Sequence, residues 1–251
     1  MPTQPLPPLV AVIERIEPPP PIAEVDPTHG ALGRLLAWWS ARSAGSPPCA
    51  AHIPPPPPEV DVDAAILAGI DAVDRAVDAG STLVVLRGND AVDSARSGVA
   101  RGVIGTLTRR EASALLPQPA GMTDGAWMRL CRDVRDHTAA AAPYRGEYTA
   151  LLAAAGATGV AFWTGALLSS AARGTACLVD GIEPLAATVV ADRLAYQAHG
   201  WWLAASDSCD PGRAAAIERA GLAVGLPLDI SDDRGLGTGA VLAVLALLCE
   251  R

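Results

Sequence analysis

The sequence predicts an α/β protein: a mostly parallel sheet with helices on both faces, preceded by a small helical, proline-rich N-terminal arm. Three observations carry that expectation. From residue 61 onward, stretches with helical periodicity alternate with short apolar runs. The runs lack the in-out alternation of a half-exposed strand, as strands covered on both sides do. Helical stretches also close on glycine, at Gly80, Gly174 and Gly221, before the next run begins.

Taken in order, residues 1–25 are proline-rich around one short helix over Leu9–Ile16. The stretch from Asp26 to Trp39 passes from a turn into an amphipathic helix with Leu32, Leu35, Leu36 and Trp39 toward one face. A run of five prolines, Pro54 to Pro58, then reads as a stiff spacer or cover strap. It divides the chain into an arm, 1–58, held at a distance, and an α/β domain, 59–251.

In the domain, Val62, Ile66, Ile70, Val73 and Val77 recur at helical spacing, and Ser81–Leu86 reads as a buried strand. Gly98–Arg110 fits helix or loop, Leu115–Gly125 a connection, and Trp127–His137 a helix. Leu151–Ala172 carries no charge and is long enough to span a bilayer. Its small residues and three glycines favour a single buried helix instead. The strands Thr175–Val179 and Trp201–Ala205 follow, separated by a helix over Pro184–Tyr196. Asp210-Pro211 marks the start of a helix that Gly221 stops, and Leu222–Leu228 is extended.

Composition narrows the partners. The hydrophobic half is mostly Ala, Leu and Val, with one Phe and three Tyr, so the interior is built from small residues. All 19 basic residues are arginine, set against 27 acidic ones for a net charge of −8. They are spread along the chain rather than grouped, which disfavours nucleic acid as a partner. Five isolated cysteines, without a Cys-x-x-Cys pair, point to a reducing, cytoplasmic compartment and away from a metal site. The N-terminus lacks the pattern of a signal peptide, and neither membrane nor cofactor is expected. No Gly-x-Ser-x-Gly occurs, and the four histidines have no evident nucleophile partner, which argues against acyl transfer.

The candidate site gathers at strand ends. Asp229-Ile-Ser-Asp-Asp-Arg-Gly-Leu-Gly-Thr-Gly-Ala240 reads as a glycine-rich loop feeding a buried helix. Gly235, Gly237 and Gly239 let a ligand approach the backbone, and the helix start offers N–H groups to an anion. The loop Arg87-Gly-Asn-Asp90 follows a strand, where open α/β sheets bind ligands; Asn89 and Asp90 fit either a turn or a contact. Asp180-Gly181 ends another strand, where Asp180 fits a ligand contact or a cap for the next helix.

The order of motifs resembles the nicotinate-nucleotide:dimethylbenzimidazole phosphoribosyltransferase (CobT) family, whose fold is Rossmann-like. The matching pieces are Gly30-Ala-Leu-Gly-Arg-Leu35, Thr164-Gly-Ala-Leu-Leu168, Leu178-Val-Asp-Gly181 and Ser206-Asp-Ser-Cys-Asp-Pro-Gly-Arg213. They continue through Ala220-Gly-Leu222 and Pro227-Leu-Asp229 to Arg234-Gly-Leu-Gly-Thr-Gly-Ala240. The likeness is specific from about Thr164 onward.

The resemblance implies transfer of phosphoribose from nicotinate mononucleotide to an aromatic azole in cobalamin lower-ligand assembly, without metal or cofactor. It implies Gly88, Asn89, Asp180, Gly181, Arg234, Gly235, Leu236, Gly237, Thr238 and Gly239 as substrate-binding residues, and a homodimer. The sequence departs from the family at Leu236, which stands where the family carries its catalytic glutamate, and at Asn89, which stands at an acidic position. A segment with Ala-Ala-Asp-His-Gly-Val is replaced by Pro54 to Pro58. Asp90 and Asp233 are the nearest candidates for a substitute base. Two alternatives follow: a pseudoenzyme that binds nucleotide and pairs with a full-length paralogue, and a transferase for another, already nucleophilic acceptor.

Overall fold

The structure, a computed structural model, describes residues 6–54, 61–88, 91–118, 120–230 and 235–249. Five strands make one sheet: β1 (Ala50–Ile53), β2 (Leu83–Arg87), β3 (Ala176–Asp180), β4 (Trp202–Ser206) and β5 (Ala223–Leu226). Every pairing is parallel, and the spatial order is the chain order. That order has no reversal, so the sheet has no switch point of the kind that opens a crevice in doubly wound folds. Right-handed crossovers, all stepping the same way, also put every connecting helix on the same face.

The connecting helices are α3 (Val62–Asp78) between β1 and β2; α4 (Ala95–Thr108), α5 (Asp124–Ala141), α6 (Tyr148–Ala155) and α7 (Thr158–Ala172) between β2 and β3; α8 (Ile182–Leu194); and α9 (Pro211–Ala220). They share a core with Val84, Leu86, Cys177, Val179, Trp202 and Ala204, one side of each strand's alternation. Helix α1 (Pro7–Ile13) packs on the outside of α3 and α7. The opposite side of the strands, Leu83, Val85, Ala176, Leu178, Leu203 and Ala205, meets only helices outside the alternating run. These are α2 (Gly30–Ser43), which precedes β1, and α10 (Leu236–Cys249), which follows β5.

The expectation that residues 1–58 stand off from the body is not met. β1 pairs with β2 in the sheet, and Trp38 and Trp39 of α2 are buried in the second core. Arg42 ties α2 across to Gly200, its guanidinium 4.6 Å from the Trp38 ring centroid, and Trp201 Nε1 donates to Glu17 O at 2.9 Å. The inward stripe of α2 is Leu35, Trp38 and Trp39, so Leu32, expected on it, is 49% exposed.

Helix boundaries follow local chemistry. Asp61 caps α3 by accepting from Ala64 N at 2.7 Å, and Val62, Ile66, Ile70 and Val73 form its buried stripe. Asp210 caps α9 on Gly212 N and Arg213 N, Pro211 stands in its first turn, and Gly221 ends it in the left-handed region. The charge-free stretch expected as one helix over Leu151–Ala172 is two. Gly156, at φ +67°, terminates α6, and α7 starts afresh at Thr158. Among the described residues, no helix is long and apolar enough to cross a membrane.

Burial also sorts the cysteines. Cys177 faces the α3–α9 core from β3, and desolvation pushes its thiol well above the usual range, whereas Cys49 and Cys209 are exposed. Treating the native protein with a thiol reagent and reading the sites by mass spectrometry is expected to modify Cys49 and Cys209 promptly. Cys177 reacts only as fast as the protein unfolds; its prompt modification would contradict the packing.

Candidate functional site

The C-terminal ends of β2, β3 and β4 meet the first turn of α10, and one carboxylate joins them. Asp180, the last residue of β3, is 3% exposed. Its Oδ1 accepts from Arg213 Nη2 on α9, and its Oδ2 accepts from Thr238 N at 3.2 Å and Thr238 Oγ1 at 2.9 Å. Of the two roles the sequence left to Asp180, a ligand contact or a cap for the following helix, the cap is not what the structure shows. Gly181 holds the N-cap position of α8 without a side-chain bond, and Asp180 instead secures the start of a different helix, α10.

Glycines let the elements close in. A Cβ on Gly181, at φ +97°, would lie 2.7 Å from both Cα and N of Gly88, so the ends of β2 and β3 touch backbone to backbone. Gly88 N donates to Asp180 O at 2.8 Å, carrying the β2–β3 ladder past the strand ends. A Cβ on Gly237 would stand 2.9 Å from Ser206 Oγ and 3.5 Å from Asp180 Oδ2, so α10 rests closely on the end of β4 at this glycine. Gly235, at φ +78°, lies against the Arg87 side chain.

Gly88, Asp180, Gly181, Gly235, Gly237 and Thr238 are thus brought together. The expected loop is shorter than its sequence suggested: helix α10 starts at Leu236, so Gly237, Thr238 and Gly239 are its first turn. Leu236 is 58% exposed, and a Cβ on Gly239 would meet nothing within 4 Å. The helix they lead into is buried along Val241 and Leu245 but leaves Leu247 65% exposed. Asn89, Asp90, Asp233 and Arg234 lie outside the described residues.

Three guanidinium–carboxylate pairs, two of them buried and one with its arginine half-exposed, surround this centre, and the sequence reading missed them. Besides Arg213–Asp180, Arg101 on α4 grips Asp210 through 2.8 and 2.5 Å bonds and also reaches Leu115 O. Arg96 holds Glu183 in a fork of 3.1 and 2.5 Å, with room made by Gly159, whose Cβ would strike Glu183. The one local signal was Asp210-Pro-Gly-Arg213, which sets Arg213 three residues past a helix cap. Ser206 Oγ is buried, lies against Gly237 and has no hydrogen-bond partner among the described residues. Chemically, with Thr238 N held by Asp180 and Gly239 N by Gly235 O, the site leaves the amides of Leu236 and Gly237, two close-packed glycine backbones and the Ser206 hydroxyl to meet an anionic or polar ligand. Among the described residues, no group of three or more His, Cys, Asp or Glu side chains could hold a metal ion.

Comparison with known proteins gives this arrangement relatives. Residues 58–249 match the family model described as phosphoribosyltransferase. The sequence is 38% identical over 185 residues to the nicotinate-nucleotide–dimethylbenzimidazole phosphoribosyltransferase of Streptomyces avermitilis, covering 73% of this chain and 48% of that protein. It is 34% identical to the protein of that name from Streptomyces coelicolor, covering 73% and 50%. The fold is similar to a crystal structure of CobT from Thermus thermophilus, with a TM-score of 0.64 at 23% identity over 75% of this chain and 56% of that one. The chain spans about half the length of the curated relatives it matches.

Proposed function

The chain belongs to the phosphoribosyltransferase family, and from that premise we propose that it works in cobalamin lower-ligand synthesis, moving phosphoribose from nicotinate mononucleotide to an aromatic azole such as dimethylbenzimidazole. The observation that carries the reading is the meeting of Gly88, Gly181 and the α10 first turn around Asp180. Thr238 N is spent on Asp180, but the amides before it at the start of α10 have no carbonyl of their own helix to bond, and such amides attract the phosphate of a nucleotide.

In such a transfer, an azole nitrogen attacks the anomeric carbon of the ribose and nicotinate leaves with the electrons of the broken C–N bond. The azole proton must pass to a base. Leu236 has no acceptor for it, and both oxygens of Asp180 are already engaged, one with Arg213 and the other with Thr238. The chain can therefore bind and orient its reactants, but a positioned base is absent from the place where the family carries it. That loss costs a factor of roughly a hundred to ten thousand in rate.

The exposed Leu236 favours a second reading, a nucleotide-binding subunit whose partner chain brings the base. Leu32 at 49%, Leu236 at 58% and Leu247 at 65% exposure are apolar side chains that a second copy or a full-length paralogue would cover.

One assay separates the readings. The protein and its Leu236→Glu variant are incubated with nicotinate mononucleotide and dimethylbenzimidazole, and nicotinate release is followed by chromatography. The transferase reading expects slow release that Leu236→Glu raises about a hundredfold. Tight nucleotide binding with no release from either protein establishes the subunit reading, and failure of both proteins to bind the nucleotide sinks the two together.

A further inference from the structure

The fold assembles a cationic cleft at the end of the sheet opposite the site described above. Helix α4 starts beside β2's C-terminal end and runs back along the sheet for 14 residues, roughly 20 Å. At its far end a cleft of about 400 Å³ is lined by Arg109, Arg110, Arg135, Arg145, Glu111 and Thr138. The four arginines come from three places, the end of α4, the middle of α5 and the segment before α6, so their grouping is invisible in the sequence. In a chain with 19 basic and 27 acidic residues, this concentration runs against the overall charge.

The hydrogen-bond capacity of the cleft is unspent. Each guanidinium carries five N–H donors. Arg110 gives one contact to Glu218 at 2.7 Å, and Arg145 Nε donates to Thr106 O at 3.1 Å, which holds its side chain across the end of α4. Arg109 and Arg135 have no ion pair among the described residues, and Glu111 is the single acid in the lining. Far more donors than acceptors therefore line the cleft.

The backbone adds an independent observation. Arg109 is the C-cap of α4 and adopts the left-handed conformation, φ +59° and ψ +30°. Glycine occupies such caps without strain, as Gly156 and Gly221 do in this chain. Here the strained cap is one of the arginines that line the cleft.

We propose that this cleft is a second binding site, distinct from the one at the other end of the sheet, for the phosphate group of a small molecule. Guanidinium forks match phosphate oxygens in charge and geometry. The lining has no aromatic ring on which a base would stack, so recognition centres on the phosphate. A nucleic acid strand is disfavoured because the four cations are confined to one cleft on a protein of net charge −8. The proposal does not depend on the phosphoribosyl-transfer reading.

The test uses the full chain, inorganic pyrophosphate and inorganic phosphate at fixed ionic strength, with titration calorimetry for affinity and hydrogen–deuterium exchange for location. The variant is Arg109→Gly with Arg135→Gln: glycine relieves the strained cap, so folding is retained while two cations are lost. Expected are submillimolar pyrophosphate binding, slowed exchange over residues 105–112 and 135–145, and at least a twentyfold loss of affinity in the variant. Pyrophosphate binding well above that of phosphate indicates a diphosphate-bearing ligand, and equal binding a single phosphate. Absence of binding, equal affinity in the variant, or protection confined to residues 235–240 overturns the proposal.

Discussion

Asp180→Ala lowers stability by about 3–5 kcal/mol, the usual cost of stripping one partner from a buried ion pair. Arg213 is 2% exposed and cannot turn to water when its carboxylate goes. The same substitution removes the acceptor of Thr238 N and Oγ1, leaving the start of α10 without its anchor. Urea unfolding followed by circular dichroism gives the value. Adding Arg213→Leu to Asp180→Ala is expected to restore part of the loss, because the guanidinium that lost the Asp180 carboxylate is then removed as well. A single-variant loss below about 1 kcal/mol would show that the pair does not hold these elements together.

The second large effect is at the crossing of α3 and α7. A Cβ on Gly165 would lie 2.1 Å from Ile66 O, and one on Gly69 2.0 Å from Phe162 O. The obstacle is backbone in both cases, so no rotamer change relieves it, and the helices must part through the larger core. Gly165→Ala is expected to destabilise by about 2–3 kcal/mol, overpacking outweighing the helix propensity that alanine gains. Gly98 of α4 supplies the contrast, because a Cβ there meets nothing within 4 Å. Gly98→Ala should stabilise by about 0.5–1 kcal/mol. Thermal unfolding of the two variants, shifting in opposite directions, checks the crossing; two shifts of the same sign would contradict it.

What the sequence disclosed follows the range of the interactions involved. β2, β3 and β4 were readable because a strand covered on both faces is a run of apolar residues, and α9 because Asp210, Pro211 and Gly221 punctuate it locally. β1 was not, since Ala50–Ile53 is four residues between prolines and owes its form to pairing with β2 rather than to propensity. The break at Gly156 was hidden because helices buried on nearly every side show no periodicity to interrupt.

At the site, the glycines and Asp180 were legible as strand-end and turn residues. The guanidiniums that organise it were not: Arg101 meets Asp210 across 109 positions and Arg213 meets Asp180 across 33. The cleft arginines stayed hidden for the same reason, being spread from Arg109 to Arg145 until α4 and α5 bring them to one end.

The uninterrupted strand order also governs the sequence of events in folding. The face bearing α3 to α9 is assembled by each crossover as it forms, from contacts between neighbouring units. The other face has no crossover of its own. It is closed by α2 meeting β5 and by α10, a pairing of segments from nearly opposite ends of the described chain. Such long-range closure is slow, since the entropy of the intervening loop must be lost first. During synthesis the apolar underside of β2, β3 and β4 therefore has only α2 to cover it until β5 and α10 have been made. That interval is when the protein is most exposed to aggregation and most in need of a chaperone.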